Sequence, residues 1–526
     1  MIPLVASRPA MTLQGPLTAT AAFLLAAIAV WMSRVSLIVF AVAALLLLLV
    51  IAAAALRWPR ATLVLVALSA ILDRYIVAGL LPPTLGVATH LSSEGLLAVV
   101  GGVIAWRSWT AGRFIEAFRH PATVFLILFF ALGLIATVVN RVPIEQAFGG
   151  LLFTLDAAVL FYLARMVGFD VHQAMAGVAA LVALLFAAGV IAILQALLRP
   201  DVFGLTALIG RFGEAYRLAS IFGDPNVFAA LISATAPFAV MGAIHASRRR
   251  DRWLCLLLVF GLVLPLWLSF SRGGWLGMLT GFSIATLILD RRAWLVGIAM
   301  IALGFGVATT MPRNLAAPTS SETPPNVIDS TQERIDTIGK GQDLRTLFIL
   351  NAVPILHDHP LVGVGPGRYG GAIAKIFGTP VYREYGTTAL FTDPQQDTVD
   401  DFWLHTAVEG GVLGVLALAG AMLTIAIPIY RAALSAKGRR RILLVGIAAA
   451  GTSLVINSLT TMLLEANSVA FVFWFLLGIG SMLAEPAGSA WMGHRGAPEP
   501  EDDKPLARNE PLLELGHGAA QTSHAS

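Results

Sequence analysis

Four short stretches of the sequence place arginines, acidic residues and a histidine beside glycines, at the borders of long apolar segments. The first stretch reads Arg-Leu-Ala-Ser-Ile-Phe-Gly-Asp-Pro-Asn over 217–226. Asp224 is a favourable N-cap and Pro225 suits the first helical position, so a helix is predicted to begin near Asn226. A helix N-terminus attracts anions, and Arg217 adds a planar cation that donates bidentate hydrogen bonds. This pattern indicates half of a phosphate-binding site; a capped helix with an interfacial arginine is the structural alternative.

The second stretch, Ser-Arg-Gly-Gly over 271–274, falls in a very short turn between two apolar segments. An arginine at membrane depth is costly and is a functional candidate by default. Gly273 and Gly274 leave room for a ligand or another helix to approach. Arg272 therefore offers a second bidentate contact to a phosphate group. The structural alternative is that Arg272 extends to the phosphate groups of the lipids.

The third stretch joins Arg345 to a glycine-rich turn that starts at His359. Gly363, Gly365 and Gly367 follow at alternate positions, and a turn of this kind can form a backbone concavity that accepts an anion. A histidine in this place is more typical of a cap or turn than of a ligand. The run does not follow a strand of a βαβ unit, which excludes a dinucleotide site.

The fourth stretch carries Asp400, Asp401, His405 and Glu409 at the start of an apolar segment. Asp401, His405 and Glu409 are spaced by four and share one helical face, and Asp400 is predicted at or near the N-cap. A carboxylate or imidazole here can act as general base for a sugar hydroxyl. The structural alternative is helix capping combined with interfacial polarity.

Composition decides what kind of chain must position these residues. Hydrophobic residues make up 57% of the sequence and charged residues 13%, against about 25% charged residues in soluble domains. Mean hydropathy is +0.80, so the chain is a polytopic membrane protein of the all-α class. Cys255 is the single cysteine, which excludes an intrachain disulfide. The net charge of +4 comes from short clusters that report topology and do not indicate a nucleic-acid partner.

About fourteen apolar runs are predicted to span a membrane; the run at 94–107 is shorter than a full span but is expected to cross as well. They lie near 16–33, 35–56, 61–80, 94–107, 121–139, 149–167, 174–197, 226–246, 253–270, 274–289, 293–311, 409–430, 441–461 and 468–484. The first run lacks a small-residue cleavage site and is followed by more membrane segments, so no cleavable signal peptide is expected.

Five basic clusters predict the orientation of these helices by the positive-inside rule. They are Arg57/Arg60, Arg107/Arg113/Arg119, Arg248–Arg250 with Arg252, Arg291/Arg292, and Arg431 through Lys437 to Arg439–Arg441. Placing all five in the cytoplasm puts both termini inside. Four segments then face the periplasm: 198–225, 270–273, 312–400 and 462–467. All four stretches described above reach this outer side.

The predicted organisation has four parts. Residues 1–311 hold transmembrane helices 1–11, and 312–400 form a large periplasmic loop with short helices. Residues 401–485 hold helices 12–14, and 486–526 form a disordered cytoplasmic tail, because few apolar residues occur there. Within the loop, short helices are predicted over 331–338, 343–357 and 369–377. A segment of this length between membrane helices is more typical of a functional cap than of a simple connecting loop.

Taken in order from Arg217 to Gly414, the four stretches resemble the O-antigen ligase and polymerase superfamily of bacterial surface-polysaccharide assembly, which includes exopolysaccharide polymerases. The resemblance implies a GT-C-like membrane fold and a metal-independent inverting glycosyltransferase with no cofactor. It also implies an undecaprenyl-pyrophosphate-linked glycan donor. The site would lie in the bacterial inner membrane and face the periplasm.

The resemblance also implies roles for single residues. Arg217 and Arg272 would hold the pyrophosphate, and the loop with Arg345 would close over it. Asp400, Asp401 and His405 are the candidate catalytic residues, with Asp400 or His405 as a weak base. The supporting residues would be Asn226, Gly363, Gly365, Gly367 and Glu409.

One departure from the family pattern bears on the reaction. Ligases that attach O antigen to lipid A core usually show His-Asn where this chain has Asp400-Asp401, so acidic residues here resemble the polymerase branch. The acceptor would be a glycan for a polymerase and lipid A core for a ligase, and other polysaccharide-assembly proteins are possible partners. A lipid-linked oligosaccharide transporter is the alternative of another class. Transporters usually show internal repeats and polar groups at the bilayer midplane, neither of which the sequence shows.

Overall fold

A computed structural model describes seven parts of the chain. They are residues 37–80, 92–197, 210–212, 215–222, 224–310, 344–391 and 399–485. The first apolar run at 16–33, the helix predicted over 331–338 and the tail 486–526 lie outside the described residues. Helices account for most of what is described.

The first half of the fold contains eight helices and a hairpin. The helices are α1 (Leu37–Arg57), α2 (Pro59–Leu80), α3 (Ser92–Thr110), α4 (Phe114–Phe118), α5 (Pro121–Val139), α6 (Ile144–Leu155), α7 (Val159–Val167) and α8 (Val171–Leu197). A 3₁₀ turn, Asp156–Ala158, joins α6 to α7. Strands β1 (Gly210–Phe212) and β2 (Ala215–Arg217) then pair antiparallel. Three-residue strands are too short to show alternation in sequence, which is why this hairpin was not predicted.

The second half contains the helices that carry the four stretches. They are α9 (Pro225–His245), α10 (Arg249–Leu268), α11 (Arg272–Leu276), α12 (Phe282–Leu289), α13 (Arg291–Thr310), α14 (Leu344–Asp358), α15 (Ala372–Phe377), α16 (Val381–Glu384), α17 (Phe402–Ser435), α18 (Gly438–Asn457) and α19 (Asn467–Ala484). A π turn, Gly277–Gly281, joins α11 to α12. Two 3₁₀ turns, Thr388–Phe391 and Leu463–Glu465, precede α17 and α19.

Nine helical segments of the described residues are long and apolar enough to cross a membrane. This number confirms an all-α polytopic membrane protein, with the hairpin as a small exception. The other predicted runs that fall on described residues are also helical, including α1, α2 and α3. The total of fourteen and the orientation of the helices stay predictions. The predicted helix at 343–357 is confirmed as α14, and the one at 369–377 is shorter, as α15.

Helix α9 lies at the centre of the bundle, because 89% of its span is buried. Small residues on the helices around it allow close approaches, as is usual in membranes. A Cβ built at Gly446 of α18 would lie 2.3 Å from the Phe238 ring of α9. Elsewhere in the bundle, α8 and α10 pack together in the same way, since a Cβ at Gly189 of α8 would lie 2.5 Å from the Gly261 carbonyl oxygen of α10. These approaches fix the helices whose ends carry the site.

Two arginines at the start of α18 contact the ends of neighbouring helices. Arg441 donates to the Leu289 carbonyl at 2.7 Å and faces Asp290 at 3.4 Å, and Arg440 donates to the Leu483 carbonyl at 2.9 Å. The same end holds an ion pair between the buried Arg165 and the partly exposed Glu485, 2.8 Å apart. Helices α17, α18 and α19 each extend between this end and the opposite end, where the candidate site residues lie.

Helix α17 is broken near its start, and a loop fills the break. Gly411 adopts φ 64° and ψ −174°, a conformation that glycine tolerates. The Val412 and Leu413 N–H groups, freed by the break, donate to the carbonyls of Pro360 and Leu361 at 2.9 and 3.1 Å. On the other side, the Val408 and Glu409 carbonyls accept from Val364 and Gly365 at 2.9 and 3.0 Å. The glycine-rich turn therefore completes the backbone hydrogen bonding that the helix gives up, as buried backbone requires.

Candidate active site

The start of α9 follows the prediction. Asp224 is the N-cap and accepts from the Asn226 N–H at 2.7 Å, with Pro225 at the first helical position. Gly223 and the side chain of Arg217 lie outside the described residues. The backbone of Arg217 ends β2, and the next residue, Leu218, donates to the Leu268 carbonyl at 3.5 Å. The first stretch is thus held against the end of α10, four residues before Arg272.

The first and second stretches touch directly. The Ser271 hydroxyl donates to the Asn226 side-chain oxygen at 2.9 Å, and both residues are buried. Ser271 also caps α11 by accepting from the Gly274 N–H at 3.2 Å. Arg272 is the first residue of α11 and is half-buried. A Cβ at Gly274 would lie 2.4 Å from the Ala229 Cβ, so glycine is what allows α11 to reach α9.

A turn at 457–461 joins the second stretch to the fourth, and the sequence did not single it out. A Cβ at Gly273 would lie 2.1 Å from the Thr460 hydroxyl and 2.5 Å from the Asn457 side-chain oxygen. The Ser458 carbonyl accepts from the Phe402 N–H at 3.0 Å, where α17 begins. Asn457 is fully buried, and neither polar atom of its side chain has a partner among the described residues. The sequence signal that could have identified this turn is Asn457 itself, a polar amide within an apolar helix.

Asp401, and not Asp400, caps α17. One carboxylate oxygen of Asp401 accepts from the N–H groups of Trp403 and Leu404 at 2.9 and 3.0 Å. Burial raises the pKa of Asp401, while these backbone bonds and Arg345 lower it. Asp401 is therefore the N-cap of α17, and Asp400 lies directly before it, near the N-cap as predicted.

Asp400 is the accessible carboxylate of the pair. Its side chain is 46% exposed and lies 3.4 Å from the guanidinium of Arg345, which is 24% exposed. The Nε atom of Arg345 is buried and has no hydrogen-bond partner in the part of the chain that the structure describes. Residue 399 pairs with the glycine-rich segment through a 2.9 Å bond from its N–H to the Gly370 carbonyl. The third and fourth stretches therefore meet at Asp400.

His405 lies between two buried carboxylates. Its Nδ1 faces the Tyr369 carbonyl at 2.5 Å and must carry a hydrogen, because a carbonyl only accepts. Its Nε2 lies 2.9 Å from Glu465 and 3.6 Å from Glu409. Both ring nitrogens therefore face groups of the protein. His405 and Glu409 share one helical face, as predicted, but Glu465 comes from the 3₁₀ turn before α19 and was missed.

Glu409 occupies the concavity of the glycine-rich turn. Its two carboxylate oxygens accept from the N–H groups of Gly367 and Tyr369 at 2.8 and 2.7 Å. The Gly365 N–H donates to the Glu409 carbonyl and the Gly363 N–H to the His359 carbonyl. All three glycines have positive φ, at 67°, 102° and 73° for Gly363, Gly365 and Gly367. The anion at this turn in the structure is the carboxylate of Glu409, which the Gly367 and Tyr369 N–H groups hold.

Arg345 is positioned by an aromatic core within 344–391. Tyr382 stacks on Phe391 with ring centroids 3.9 Å apart, and Tyr369 meets both rings edge-on. Phe348, one turn of α14 beyond Arg345, packs into the same cluster. Burial raises the pKa of Tyr369, whose hydroxyl faces the Phe348 carbonyl at 3.4 Å. The segment after the undescribed part of the loop is therefore a packed unit seated on α17.

The structure brings most of the predicted residues to one end of the bundle. Asn226, Ser271 and Gly273 form one contact group, and Arg345, Asp400, His405 and Glu409 form another. The turn at 457–461 lies between them. Whether the Arg217 and Arg272 guanidinium groups converge stays a prediction, because the Arg217 side chain is not described. Among the described residues, no group of three or more His, Cys, Asp or Glu residues is arranged to hold a metal ion.

The site and the fold together define a polytopic membrane protein with a polar, arginine-containing site at one end of its helices. Residues 253–419 match the family described as O-antigen ligase, which supports the resemblance of this part of the chain to the O-antigen ligase superfamily. The match runs from α10, before Arg272, into α17, beyond Glu409. No curated protein matches the chain.

Proposed function

We propose that the protein is an inner-membrane glycosyltransferase that polymerises a glycan carried on undecaprenyl pyrophosphate, at the periplasmic face. The observation that carries this proposal is the contact between stretches far apart in sequence, above all the 2.9 Å bond between Ser271 and Asn226. It brings the start of α9 and Arg272 together at one helix end. The match of residues 253–419 to the O-antigen ligase family supports a lipid-linked glycan substrate.

In the proposed reaction, the acceptor hydroxyl oxygen attacks the anomeric carbon of the donor glycan. The bond from that carbon to the pyrophosphate oxygen breaks, the configuration inverts, and undecaprenyl pyrophosphate leaves. Arg217 and Arg272 hold the departing charge through bidentate contacts. Because the leaving group is already activated, the protein supplies mainly positioning and charge stabilisation. No cofactor or metal takes part in this scheme.

Asp400 is the proposed base, and it takes the proton of the acceptor hydroxyl. Asp400 is the more exposed of the two aspartates, whereas Asp401 caps α17 and His405 faces Tyr369 and Glu465. Arg345 orients the carboxylate from 3.4 Å, and its buried Nε offers a donor to the pyrophosphate. Asp401 and His405 are then positioning residues, and Glu409 and Glu465 fix His405 in turn.

A ligase that transfers the finished glycan to lipid A core is the second candidate, since the matched family is described as O-antigen ligase. Deleting the gene and separating the surface glycan on a gel distinguishes the two. Single repeat units on lipid A core indicate a lost polymerase. Full-length chains stranded on lipid carrier indicate a lost ligase. An unchanged glycan pattern contradicts both proposals.

The transfer reaction itself is tested with purified protein and lipid-linked donor. We expect turnover without added metal and in the presence of EDTA. Glycan transport without any change in chain length, in vesicles that contain the purified protein, would instead favour the transporter alternative.

A further inference from the structure

The end of the bundle opposite the candidate active site contains a cavity of about 750 Å³. It lies between the C-terminal ends of α1, α3 and α7 and the N-terminal ends of α2 and α8. Four arginines line it, and no aspartate or glutamate does: Arg57, Arg60, Arg107 and Arg113. The sequence used these residues only as a topology signal. Their convergence on one cavity makes them a candidate anion site.

Two of the arginines are held by backbone carbonyls at the helix ends. Arg60 donates from Nε to the Gly168 carbonyl at 2.6 Å, and Arg107 donates to the Leu56 carbonyl. The guanidinium groups of Arg57 and Arg113 make no hydrogen bond to the residues that the structure describes. The cavity thus combines two anchored arginines with two whose donors are available.

A buried hydroxyl gives a second, independent indication of a ligand. Ser108 lines the cavity and is 2% exposed, yet its Oγ has no hydrogen-bond partner in the described part of the chain. Buried polar groups in native proteins are nearly always hydrogen-bonded. An oxygen-bearing ligand in the cavity would satisfy this hydroxyl.

The part of the cavity wall formed farther along α2 and α8 is apolar. Val64, Leu65 and Leu68 of α2 line it, together with Gly177 and Ala180 of α8. From Arg60 to Leu68 the helix rises about 12 Å, which is long enough for the upper part of an acyl chain. Leu65 is 54% exposed, so the apolar wall continues into the membrane-facing surface. The cavity is cationic at its mouth and apolar along its length.

We propose that this cavity binds an acidic phospholipid of the bilayer. The headgroup phosphate lies among the four arginines and accepts from the Ser108 hydroxyl, while an acyl chain follows Val64 to Leu68. Polybasic segments beside a membrane attract acidic lipids in the same way. This inference does not depend on the transfer reaction, because the cavity and the candidate active site lie at opposite ends of the helices.

Trp58 lines the cavity and provides a reporter. The full chain is reconstituted in phosphatidylcholine vesicles that contain phosphatidylglycerol, with one or the other lipid brominated on its acyl chains. The signal of Trp58 is the difference between the wild type and Trp58→Phe. We expect brominated phosphatidylglycerol to quench this signal more than brominated phosphatidylcholine at the same mole fraction.

The double variant Arg57→Gln/Arg113→Gln should abolish this preference, because each arginine beside an acidic lipid contributes about a fivefold gain in binding, or about thirtyfold for two. Both arginines are exposed, so the fold should persist. The control Arg249→Gln/Arg250→Gln removes the same charge from an exposed cluster that does not line the cavity, and it should keep the preference.

Three results would overturn the proposal. The first is equal quenching by the two brominated lipids in the wild type. The second is an equal loss of preference in both double variants, which would mean that the membrane surface charge alone attracts the lipid. The third is loss of the preference in inorganic phosphate but not in chloride of the same ionic strength, which would show a site for free phosphate.

Discussion

At the scale of single residues, the site separates groups that can meet a substrate from groups that only position others. Asp400 and Arg345 are partly exposed, whereas His405, Glu409 and Glu465 are buried and bonded to one another. Breaking a buried ion pair by removing one partner typically costs about 3–5 kcal/mol. Loss of activity on substitution of His405 would therefore not by itself identify a base. The informative substitutions are those at Arg272, Asp400 and Asp401.

Arg272→Lys keeps the charge and removes the bidentate fork, so we expect it to lose most of the transferase activity. The measurement is turnover of purified protein on lipid-linked donor, with membrane expression checked for each variant. Arg250→Lys is the matched control, because Arg250 is 78% exposed and pairs only with the neighbouring Asp251 among the ion pairs described. Equal activity in both variants would favour the structural alternative, in which Arg272 contacts the phosphate groups of the lipids.

Asp400→Asn should lower the maximal turnover rate by about 10²–10⁴-fold, the usual contribution of a general base. Thermal stability should change little, because ion pairs at exposed positions contribute about 0–1 kcal/mol. The two readouts together distinguish a base from a structural carboxylate. Near-normal turnover of Asp400→Asn would contradict the assignment of Asp400 as the base. If Arg272→Lys also showed near-normal turnover, neither residue would belong to the active site.

Asp401→Asn tests the capping role, since asparagine caps a helix as well as aspartate does. Burial raises the pKa of Asp401 above its ordinary value of 3.8, so the folded state binds its proton more tightly than the unfolded state. The stability from this group is then complete below pH 3.8 and is lost as the pH rises through the raised pKa.

We therefore expect Asp401→Asn to remove a decline in melting temperature with rising pH, and to be at least as stable as the wild type at neutral pH. Asp401→Ala lacks the cap and should lose about 1 kcal/mol. The melting temperatures of the three proteins across acidic and neutral pH provide the test. A steeper decline of the melting temperature with rising pH in Asp401→Asn than in the wild type would contradict a raised pKa of Asp401.

At the scale of elements, the sequence predicted helices better than it predicted how they join. The N-cap at Asp224 and the helix α14 follow local rules of capping and apolar periodicity, so sequence was sufficient for them. The insertion of the glycine-rich turn into the break of α17 depends on contacts between residues about fifty positions apart. The sequence treated that turn as a concavity for a substrate anion, whereas the structure places Glu409 there.

The contribution of Glu465 and Asn457 to the site was unpredictable for a similar reason. Each lies near the turn before α19, which approaches α11 and α17 only in the folded bundle. The hairpin β1–β2 was missed because three residues per strand carry no periodicity. Local patterns thus identified the four stretches, and packing of non-local segments decided which of their groups stay available.

Gly150 of α6 tests whether the glycine-rich turn must be held in place. A Cβ at this position would lie 2.3 Å from the Gly367 nitrogen and 2.7 Å from the Pro366 carbonyl carbon, both of them backbone atoms. Gly150→Ala should therefore cost about 1–3 kcal/mol through overpacking. It should also lower activity, because the Gly367 N–H that donates to Glu409 is displaced.

Gly410→Ala is the control on α17, since a Cβ there has no atom nearer than Phe129 at 3.9 Å. An alanine within a helix is favoured over glycine by about 1 kcal/mol, so this variant should match or exceed the wild type in melting temperature. If Gly150→Ala proves as stable and active as Gly410→Ala, the turn tolerates displacement and the positional role of Glu409 is wrong.

At the scale of the whole molecule, polar groups of different kinds gather at the two ends of the helices. One end carries arginines bonded to backbone carbonyls, such as Arg440 to Leu483 and Arg441 to Leu289. The other end carries carboxylates, amides and hydroxyls around Asp400 and Asn226. The positive-inside rule predicts that the first end faces the cytoplasm, and with it that the candidate active site faces the periplasm.

This orientation is tested by a pair of introduced cysteines. A membrane-impermeant maleimide applied to intact spheroplasts should modify Ser320→Cys, in the predicted periplasmic loop, and spare Ser435→Cys, which is exposed at the end of α17. The native Cys255 is first replaced by alanine so that each variant carries one thiol. Permeabilised membranes should allow both positions to react, which controls for accessibility. Labelling of Ser435→Cys alone from outside would show that the chain has the opposite orientation. Arg272 and Asp400 would then lie on the cytoplasmic side, and the proposal of a lipid-linked donor at the outer face would lose its basis.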